Sequence, residues 1–284
     1  MADKAILYDA TRCTACRGCQ IACKQWNEND EFIPTVENGV PSKNWGSYEN
    51  PPDLSPTTWI KMEFREVEPN GKIRWLFTRR SCMHCTEAGC VKVCPNGSLY
   101  HDESGFVAYN KDSCTGCGYC IDACPFSVPR STRNLLTGVA KMDKCTLCTT
   151  AGLNRLDEGL TPACVKTCPP GALLYGDRLS LLAEGKEKVA TLQSKGWSAA
   201  NLYGENELGG LHVMYVLDDS PVVYGLPVAP RISATTAAWQ NVIQPLGWAV
   251  GGATVLGLGL NWIVARANNN NNIKEGKEKD ATRS

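Results

Sequence analysis

All sixteen cysteines of this 284-residue chain fall into four groups of four, with none left over. The quartets are Cys13, Cys16, Cys19, Cys23; Cys82, Cys85, Cys90, Cys94; Cys114, Cys117, Cys120, Cys124; and Cys145, Cys148, Cys164, Cys168. Sixteen thiolates in sets of four are the ligand count of four cubane 4Fe-4S clusters. A chain this long can bury a core without disulfide staples, which argues against a disulfide scaffold. Structural zinc is built from two separated cysteine pairs, whereas the first and third quartets crowd four sulfurs into eleven residues. A 3Fe-4S cluster would require a missing ligand, and no quartet lacks one.

The spacing has a physical basis. The first and third quartets read C-x2-C-x2-C-x3-C, the run of bacterial ferredoxins, in which three cysteines hold one cluster and the fourth reaches a second. Two-residue gaps wrap a tight loop around one cube, and the x3 step predicts a short helix that turns the last sulfur towards its neighbour. Pro95, Pro125 and Pro169 follow the last cysteine in three quartets and end that turn, because proline has no N–H and restricts the preceding residue. The second quartet widens one gap to four residues and the fourth widens one to fifteen, both as insertions within the same plan.

Charge is balanced at 29 basic and 29 acidic residues, so nothing points to nucleic acid or an acidic substrate. Residues 1–10 carry no apolar h-region, and no signal peptide is expected; Arg79-Arg80 lies mid-chain and is read as surface charge rather than an export signal. Between the cysteine motifs regular structure is expected to be sparse, since metal supplies much of the folding energy. Ile60, Met62 and Phe64 alternate with charged residues before Asn70-Gly71 and Ile73, Trp75, Phe77, which predicts a β-hairpin with a type I′ turn. Shorter hairpin-like pieces are predicted over 99–107 and 172–175, a surface helix over 179–195 stopped by Gly196, and a strand over 212–217. Residues 220–231, with three prolines, read as a linker, and 268–281 as a polar disordered tail.

Residues 245–264 (PLGWAVGGATVLGLGLNWIV) contain no charge and as a helix would span about 30 Å, the thickness of a bilayer core. A single membrane span is predicted, with Trp239, Trp248 and Trp262 suited to the interfacial belt and Gly247 and Gly251 permitting close approach of another helix. A buried helix in water is the competing reading, but five glycines would make a poor one. Arg266, Lys274, Lys277, Lys279 and Arg283 follow the span, whereas only Arg231 stands in the fifteen residues before it. The positive-inside rule then puts the tail in the cytoplasm and the cluster-bearing body on the outer, periplasmic face of the cell membrane.

A thiolate-ligated cluster is net negative, so nearby cations raise its potential; the candidates beside cysteines are Arg12, Arg17, Lys24, Lys92, Lys111, Lys144 and Lys166. His84, inside a cluster loop, is read as a polar structural residue rather than a tuning group, and His101 and His212 carry no signal. No catalytic triad, phosphate loop or acid–base pair is present in a motif, so no catalytic residue is assigned.

The segments CMHCTEAGCVKVCP (82–95), CTGCGYCIDACPF (114–126), KCTLC (144–148) and PACVKTCPPGAL (162–173) resemble the four-cluster electron-transfer subunits of molybdopterin oxidoreductases. With CRGCQIACKQWN (16–27), GGLHVMYVL (209–217), YGLP (224–227) and the C-terminal span, the chain most resembles the iron-sulfur (beta) subunit of membrane-bound respiratory formate dehydrogenase. The resemblance implies an α+β fold of two interleaved bacterial ferredoxin-type 2x(4Fe-4S) modules followed by a single C-terminal transmembrane helix. The four-cluster domain would occupy 1–178, with an outer module from 1–28 plus 140–178, an inner module over 79–130 and a hairpin insertion over 55–78. A helix, strand and linker segment (179–235), a transmembrane helix (236–266) and a polar tail (267–284) would follow. The implied ligand sets are Cys13, Cys16, Cys19 and Cys168 for cluster 1; Cys23, Cys145, Cys148 and Cys164 for cluster 2; Cys82, Cys85, Cys90 and Cys124 for cluster 3; and Cys94, Cys114, Cys117 and Cys120 for cluster 4. The implied partners are a molybdopterin (Mo or W) catalytic alpha subunit, a membrane cytochrome b gamma subunit that reduces quinone, and the lipid bilayer. The same wire could serve a sulfur-compound or other oxyanion reductase, since fold does not fix function. A zinc-stabilised tethered binding module and a self-contained enzyme are readings of other classes; the first requires a colourless protein and the second turnover by the isolated chain.

Overall fold

A computed structural model describes residues 3–29, 36–37, 40–41, 49, 51–68, 71–131, 140–233 and 243–281. The chain divides into two compact units, Met1–Ser233 and Ala234–Ser284.

The first unit is organised by a four-stranded sheet. Its strand β1 (Lys4–Asp9) leads into the first cysteine quartet through helix α1 (Gly18–Trp26). The small pairs β2 (Val36–Glu37) with β3 (Val40–Pro41), β4 (Lys61–Val67) with β5 (Arg74–Arg80), and, after helix α2 (Gly89–Lys92), β6 (Leu99–His101) with β7 (Val107–Tyr109) follow. Helix α3 (Tyr119–Asp122) precedes the pair β8 (Arg130–Ser131) with β9 (Met142–Asp143), and helix α4 (Ala163–Lys166) carries the chain to β10 (Leu173–Asp177), helix α5 (Arg178–Ser194), β11 (Asn201–Tyr203) and β12 (Val213–Leu217). The sheet order is β10-β1-β12-β11; β1 runs antiparallel to β10 and parallel to β12, with Leu7 opposite Leu174 on one side and Met214 on the other.

Strand β12 is apolar throughout, and β1 is apolar between its terminal Lys4 and Asp9, because both faces are covered. The two-residue period divides them. Ala5, Leu7, Met214 and Val216 face α5, meeting its Leu181, Leu182, Val189 and Leu192. Ile6, Tyr8, Val213, Tyr215 and Leu217 enter the larger core, which also contains Cys19, Cys23, Cys82, Cys145 and Cys164. One sheet therefore supports a packed helix on one side and the cysteine-rich interior on the other. Helix α5 starts where the Asp177 side chain accepts the Ser180 N–H at 3.1 Å and stops at Gly196, whose φ of 95° suits the left-handed exit.

The predicted hairpin over 60–77 is present as β4 and β5, with Phe64 opposite Phe77 and Val67 opposite Arg74. Asn70 itself lies outside the described residues, and Gly71 has a φ of 73°. The pieces over 99–107 and 172–175 and the strand over 212–217 are likewise β6 with β7, β10 and β12. Strand β1, which no alternation signalled, was not predicted, nor were β11 and the two-residue pairs β2 with β3 and β8 with β9.

The second unit contains helix α6 (Gln244–Ala281). Its first part, Gln244–Ala267, contains an 18-residue stretch with a mean hydropathy of 1.5 and has no buried residue. Trp248 and Trp262 are exposed on it, the Arg266 guanidinium lies 5.1 Å from the Trp262 ring centre, and Trp239 falls outside the described residues. The disordered tail expected over 268–281 is instead a helical continuation of α6. No proline interrupts that stretch, and its lysines, glutamates and alanine favour helix, which offsets the poorer asparagines.

Candidate metal centres

Each quartet ends with a cysteine pair four residues apart at one turn of helix: Cys19 and Cys23 on α1, Cys90 on α2 before Cys94, Cys120 on α3 before Cys124, and Cys164 on α4 before Cys168. Each begins with a bent loop in which the residue two after the first cysteine is left-handed: Ala15 (φ 51°), His84 (φ 47°), Gly116 (φ 72°) and Leu147 (φ 58°). That bend turns backbone N–H groups inward, making a concavity for negative charge. The Ala15 N–H donates to Cys13 Sγ at 3.4 Å, and the Leu147 N–H donates to Cys145 Sγ at 3.4 Å. The Asn27 side-chain amide donates to Cys23 Sγ at 3.5 Å. Sequence reading found the spacing and missed these left-handed positions, because glycine marks only one of the four.

The structure brings together cysteines from different motifs. Cys13, Cys16, Cys19 and Cys168 line one cavity, with Met62 and Leu173 among its walls. Cys94, Cys114, Cys117 and Cys120 line another, beside Tyr109 and Met142. Cys23 lies within electrostatic reach of Cys145, Cys164 and Cys148, and Cys85 within reach of Cys82, Cys124 and Cys90. Neighbouring groups lie within electrostatic reach of one another at their borders: Cys164 acts on Cys19, Cys145 on Cys82, and Cys120 on Cys90. All sixteen cysteines are free thiols; Cys16 and Cys117 are exposed, and the rest are buried or half-buried.

Burial dominates their electrostatics. It pushes the Cys82 thiol up to about 11 and the Cys19, Cys120 and Cys148 thiols up to about 12. Cys114, near the exposed Cys117, is lowered: burial raises it, but N–H groups of Met142 and Gly116, the Tyr109 hydroxyl and the Lys141 charge outweigh that. Thiols held protonated by burial become ligands only when bound metal supplies the positive charge, so metal loading and folding are coupled here.

The cations beside the cysteines differ from the sequence reading. Arg12, Lys92, Lys111 and Lys166 are exposed, and Lys111 is engaged by Asp143 at 2.7 Å. Lys24 and Lys144 are buried; Lys144 Nζ donates to the carbonyls of Val107 and Cys145 at 2.6 and 3.0 Å, and its charge acts on Cys82, Cys90 and Cys124. Arg79, read as surface charge, is 1% exposed and donates through Nη2 to Cys164 Sγ at 3.6 Å. It sits three residues ahead of Cys82, as Lys111 does ahead of Cys114, but its pairing with Arg80 reads as surface charge. His84 is fully buried, accepts the Val107 N–H at Nδ1 (3.1 Å), and is held neutral by burial and by the Lys144 charge. His212 donates through Nδ1 to the His84 carbonyl at 2.7 Å and meets Asp3 through Nε2, while the buried His84 Nε2 has no hydrogen-bond partner among the described residues.

The donor set is sulfur alone, supplemented by N–H groups aimed at sulfur, which is the chemistry of a thiolate-ligated iron-sulfur cube. Among the described residues no three His, Cys, Asp or Glu side chains converge on a position for a single metal ion, as zinc would need. The 4Fe-4S dicluster domain matches twice, over residues 12–98 and 73–178. The chain is 40% identical over 267 residues to the nitrate-inducible formate dehydrogenase iron-sulfur subunit of Escherichia coli K12, covering 92% of this chain and 85% of that protein. It is 40% identical over 287 residues to the formate dehydrogenase-O iron-sulfur subunit of the same organism, covering 98% and 90%. It is 32% identical over 235 residues to the formate dehydrogenase subunit beta of Megalodesulfovibrio gigas, covering 78% and 97%. Cysteine loops with sulfur-only donors, two dicluster matches and relatives aligned over most of their length place this chain in the family of formate dehydrogenase iron-sulfur subunits, electron-transfer components that carry 4Fe-4S clusters and are not catalytic alone.

Proposed function

We propose that the chain carries single electrons through four 4Fe-4S clusters. Cluster 1 is held by Cys13, Cys16, Cys19 and Cys168; cluster 2 by Cys23, Cys145, Cys148 and Cys164; cluster 3 by Cys82, Cys85, Cys90 and Cys124; and cluster 4 by Cys94, Cys114, Cys117 and Cys120. The observation that carries this reading is the mixed lining of two cavities, in which three sulfurs come from one motif and the fourth, Cys168 or Cys94, from another. The outer module (1–28 with 140–178) then closes around the inner one (79–130). The electrostatic proximity of Cys19 to Cys164, Cys145 to Cys82 and Cys90 to Cys120 supports a linear order 1-2-3-4. Exposed Cys16 and Cys117 stand at its two ends, where partner redox centres can approach.

Electrons come from a catalytic subunit whose molybdenum or tungsten bis-pterin oxidises formate to carbon dioxide, and leave to a membrane cytochrome b that reduces quinone. The names of the relatives support the first partner, and the exposed apolar helix supports an acceptor in the membrane. The residues of this chain fix the clusters in place, keep water from them and set their potentials. Arg266 and the lysines that follow it support a cytoplasmic tail and a body on the outer face.

The test is anaerobic capture of the detergent-solubilised complex through this subunit, with iron analysis and formate-dependent viologen reduction. About sixteen iron atoms from this chain, in addition to the haem iron of the cytochrome, and co-eluting activity are expected. Cys168→Ser should perturb the cluster of the first motif; loss confined to the cluster of Cys145 and Cys148 would contradict the ligand sets. A complex rich in iron and in molybdenum or tungsten, yet inactive on formate, would move the wire to another molybdopterin partner.

A further inference from the structure

Arg79, on β5, is among the largest fully buried side chains of the protein. Its guanidinium donates to Ser81 Oγ and to Cys164 Sγ, and its Nε has no partner among the described residues. The groups that act on it most strongly are Cys164, Tyr215, Cys145 and Cys19, none of them a carboxylate. The other buried cation of this hairpin, Lys61, is paired with Glu49 at 2.5 Å and with Glu63. A cation removed from water without a compensating anion is costly, and arginine does not shed its charge. The anions able to compensate it here are thiolate sulfurs, and they belong to two of the ligand sets proposed above, Cys19 to cluster 1 and Cys145 with Cys164 to cluster 2.

We propose that Arg79 is the internal counter-cation shared by clusters 1 and 2, and that its charge makes both easier to reduce. Each cube with four thiolates is already negative and gains one further negative charge on taking up an electron, so a fixed buried cation favours the reduced form over the oxidised one. The electron is supplied and removed by the redox partners; no bond forms or breaks in this chain. Cluster 2, whose Cys164 sulfur accepts the Arg79 hydrogen bond, feels the larger effect. The sequence position alone hides this role, since an Arg-Arg pair at a strand end reads as surface charge, which its neighbour Arg80 is in part through Asp53 and Glu63.

The inference rests on the ligand sets above, and its test separates the two. Redox titration of the iron-loaded complex, followed by electron paramagnetic resonance, is to be compared for wild type, Arg79→Gln and Arg79→Lys, with Cys164→Ser identifying the signal of cluster 2. At unchanged iron content, Arg79→Gln is expected to move the cluster 2 equilibrium about tenfold towards the oxidised form, about 59 mV downward for a one-electron couple. A smaller shift of the same sign is expected for cluster 1 and none for clusters 3 and 4, while Arg79→Lys keeps the wild-type potentials. Unchanged potentials in a fully loaded Arg79→Gln complex overturn the proposal, as does an equal shift of all four clusters. If Arg79→Gln fails to take up iron and Arg79→Lys loads with normal potentials, the need for the charge is upheld; if neither loads, the role lies in shape and the proposal fails. A larger shift in a signal that Cys164→Ser leaves intact than in the signal it abolishes would uphold the counter-cation and overturn the ligand sets.

Discussion

Two residues after the first cysteine of every quartet the backbone turns left-handed, at Ala15, His84, Gly116 and Leu147. That conformation costs a residue with a side chain about 1–2 kcal/mol, and three of the four loops carry the cost because the bend aims N–H groups at sulfur. At Gly116 a Cβ would also stand 2.5 Å from the Ala140 carbonyl oxygen, which is backbone and cannot swing away. Gly116→Val is therefore expected to destabilise its loop by at least about 1–2 kcal/mol and to lose the iron and the resonance signal of one cluster while the others persist; iron analysis reads this directly, and full iron content would show that the loop has room. The cysteines were legible from spacing alone, whereas these bends were not, because no propensity places Ala, His and Leu at positive φ. Arg79 was illegible for a related reason: burial at a strand end depends on what the remote Cys164 loop packs against it. Asp53 offers a pH test. Burial works to raise its carboxyl, but hydrogen bonds from Arg130 and the Leu54 N–H and the charge of Arg80 hold it below the usual carboxylate range. A lowered folded value means that the unfolded chain binds the proton more readily, so the contribution is complete above the ordinary value near 4 and is lost as pH falls through the lower folded one. With Asp53 about half exposed, Asp53→Asn should cost no more than about 1 kcal/mol. Paired thermal melts of wild type and variant should show a constant gap from pH 8 to about 5, narrowing only below about 4.

At the scale of elements, the sheet β10-β1-β12-β11 ties the beginning of the chain to its last strands. Strand β12 was legible as a run of apolar residues bounded by glycines and aspartates. Strand β1 was not, since six residues covered on both faces show no alternation, and its pairing with β12 joins residues about two hundred positions apart. Leu7 is fully buried between α5 and the sheet, in the cluster with Ala5, Leu181, Met214 and Val216, separate from the cysteine-rich core. Leu7→Ala should destabilise the first unit by about 2–5 kcal/mol through lost burial and the cavity left behind. The cluster potentials should stay at wild-type values, because no cysteine belongs to that layer. Chemical denaturation of the purified complex followed by circular dichroism checks the first half, and redox titration of the clusters checks the second. A shift in potentials would mean that the helix layer and the cysteine core are coupled more tightly than their contacts indicate.

At the scale of the whole molecule, helix α6 poses a solvation problem. Within its 24 residues Gln244–Ala267 the most apolar 18-residue stretch has a mean hydropathy of 1.5, and none of the 24 is buried. At about 1.5 Å per residue this stretch is long enough to cross a bilayer core of about 30 Å with some tilt, and Leu246, Val255, Leu256, Leu258 and Leu260 are all exposed on it. The hydrophobic effect requires that such a surface be covered, and the helix is a candidate membrane anchor. A charge near its middle tests this more sharply than truncation, since it leaves chain length and first unit unchanged. Leu256→Arg should cost about 2.5–3.5 kcal/mol of insertion free energy and move the subunit from the membrane pellet into the soluble fraction, with its iron content preserved. If the variant stays in the pellet after an alkaline wash with full iron, then α6 is covered by protein rather than lipid, and the membrane attachment resides in a partner. A cysteine introduced at Ala281 then reports the side: protection from an impermeant reagent in intact cells, with reaction after permeabilisation, is the outcome expected from Arg266 and the lysines that follow the span. Ready labelling in intact cells would place that end of the helix outside and reverse the assigned orientation.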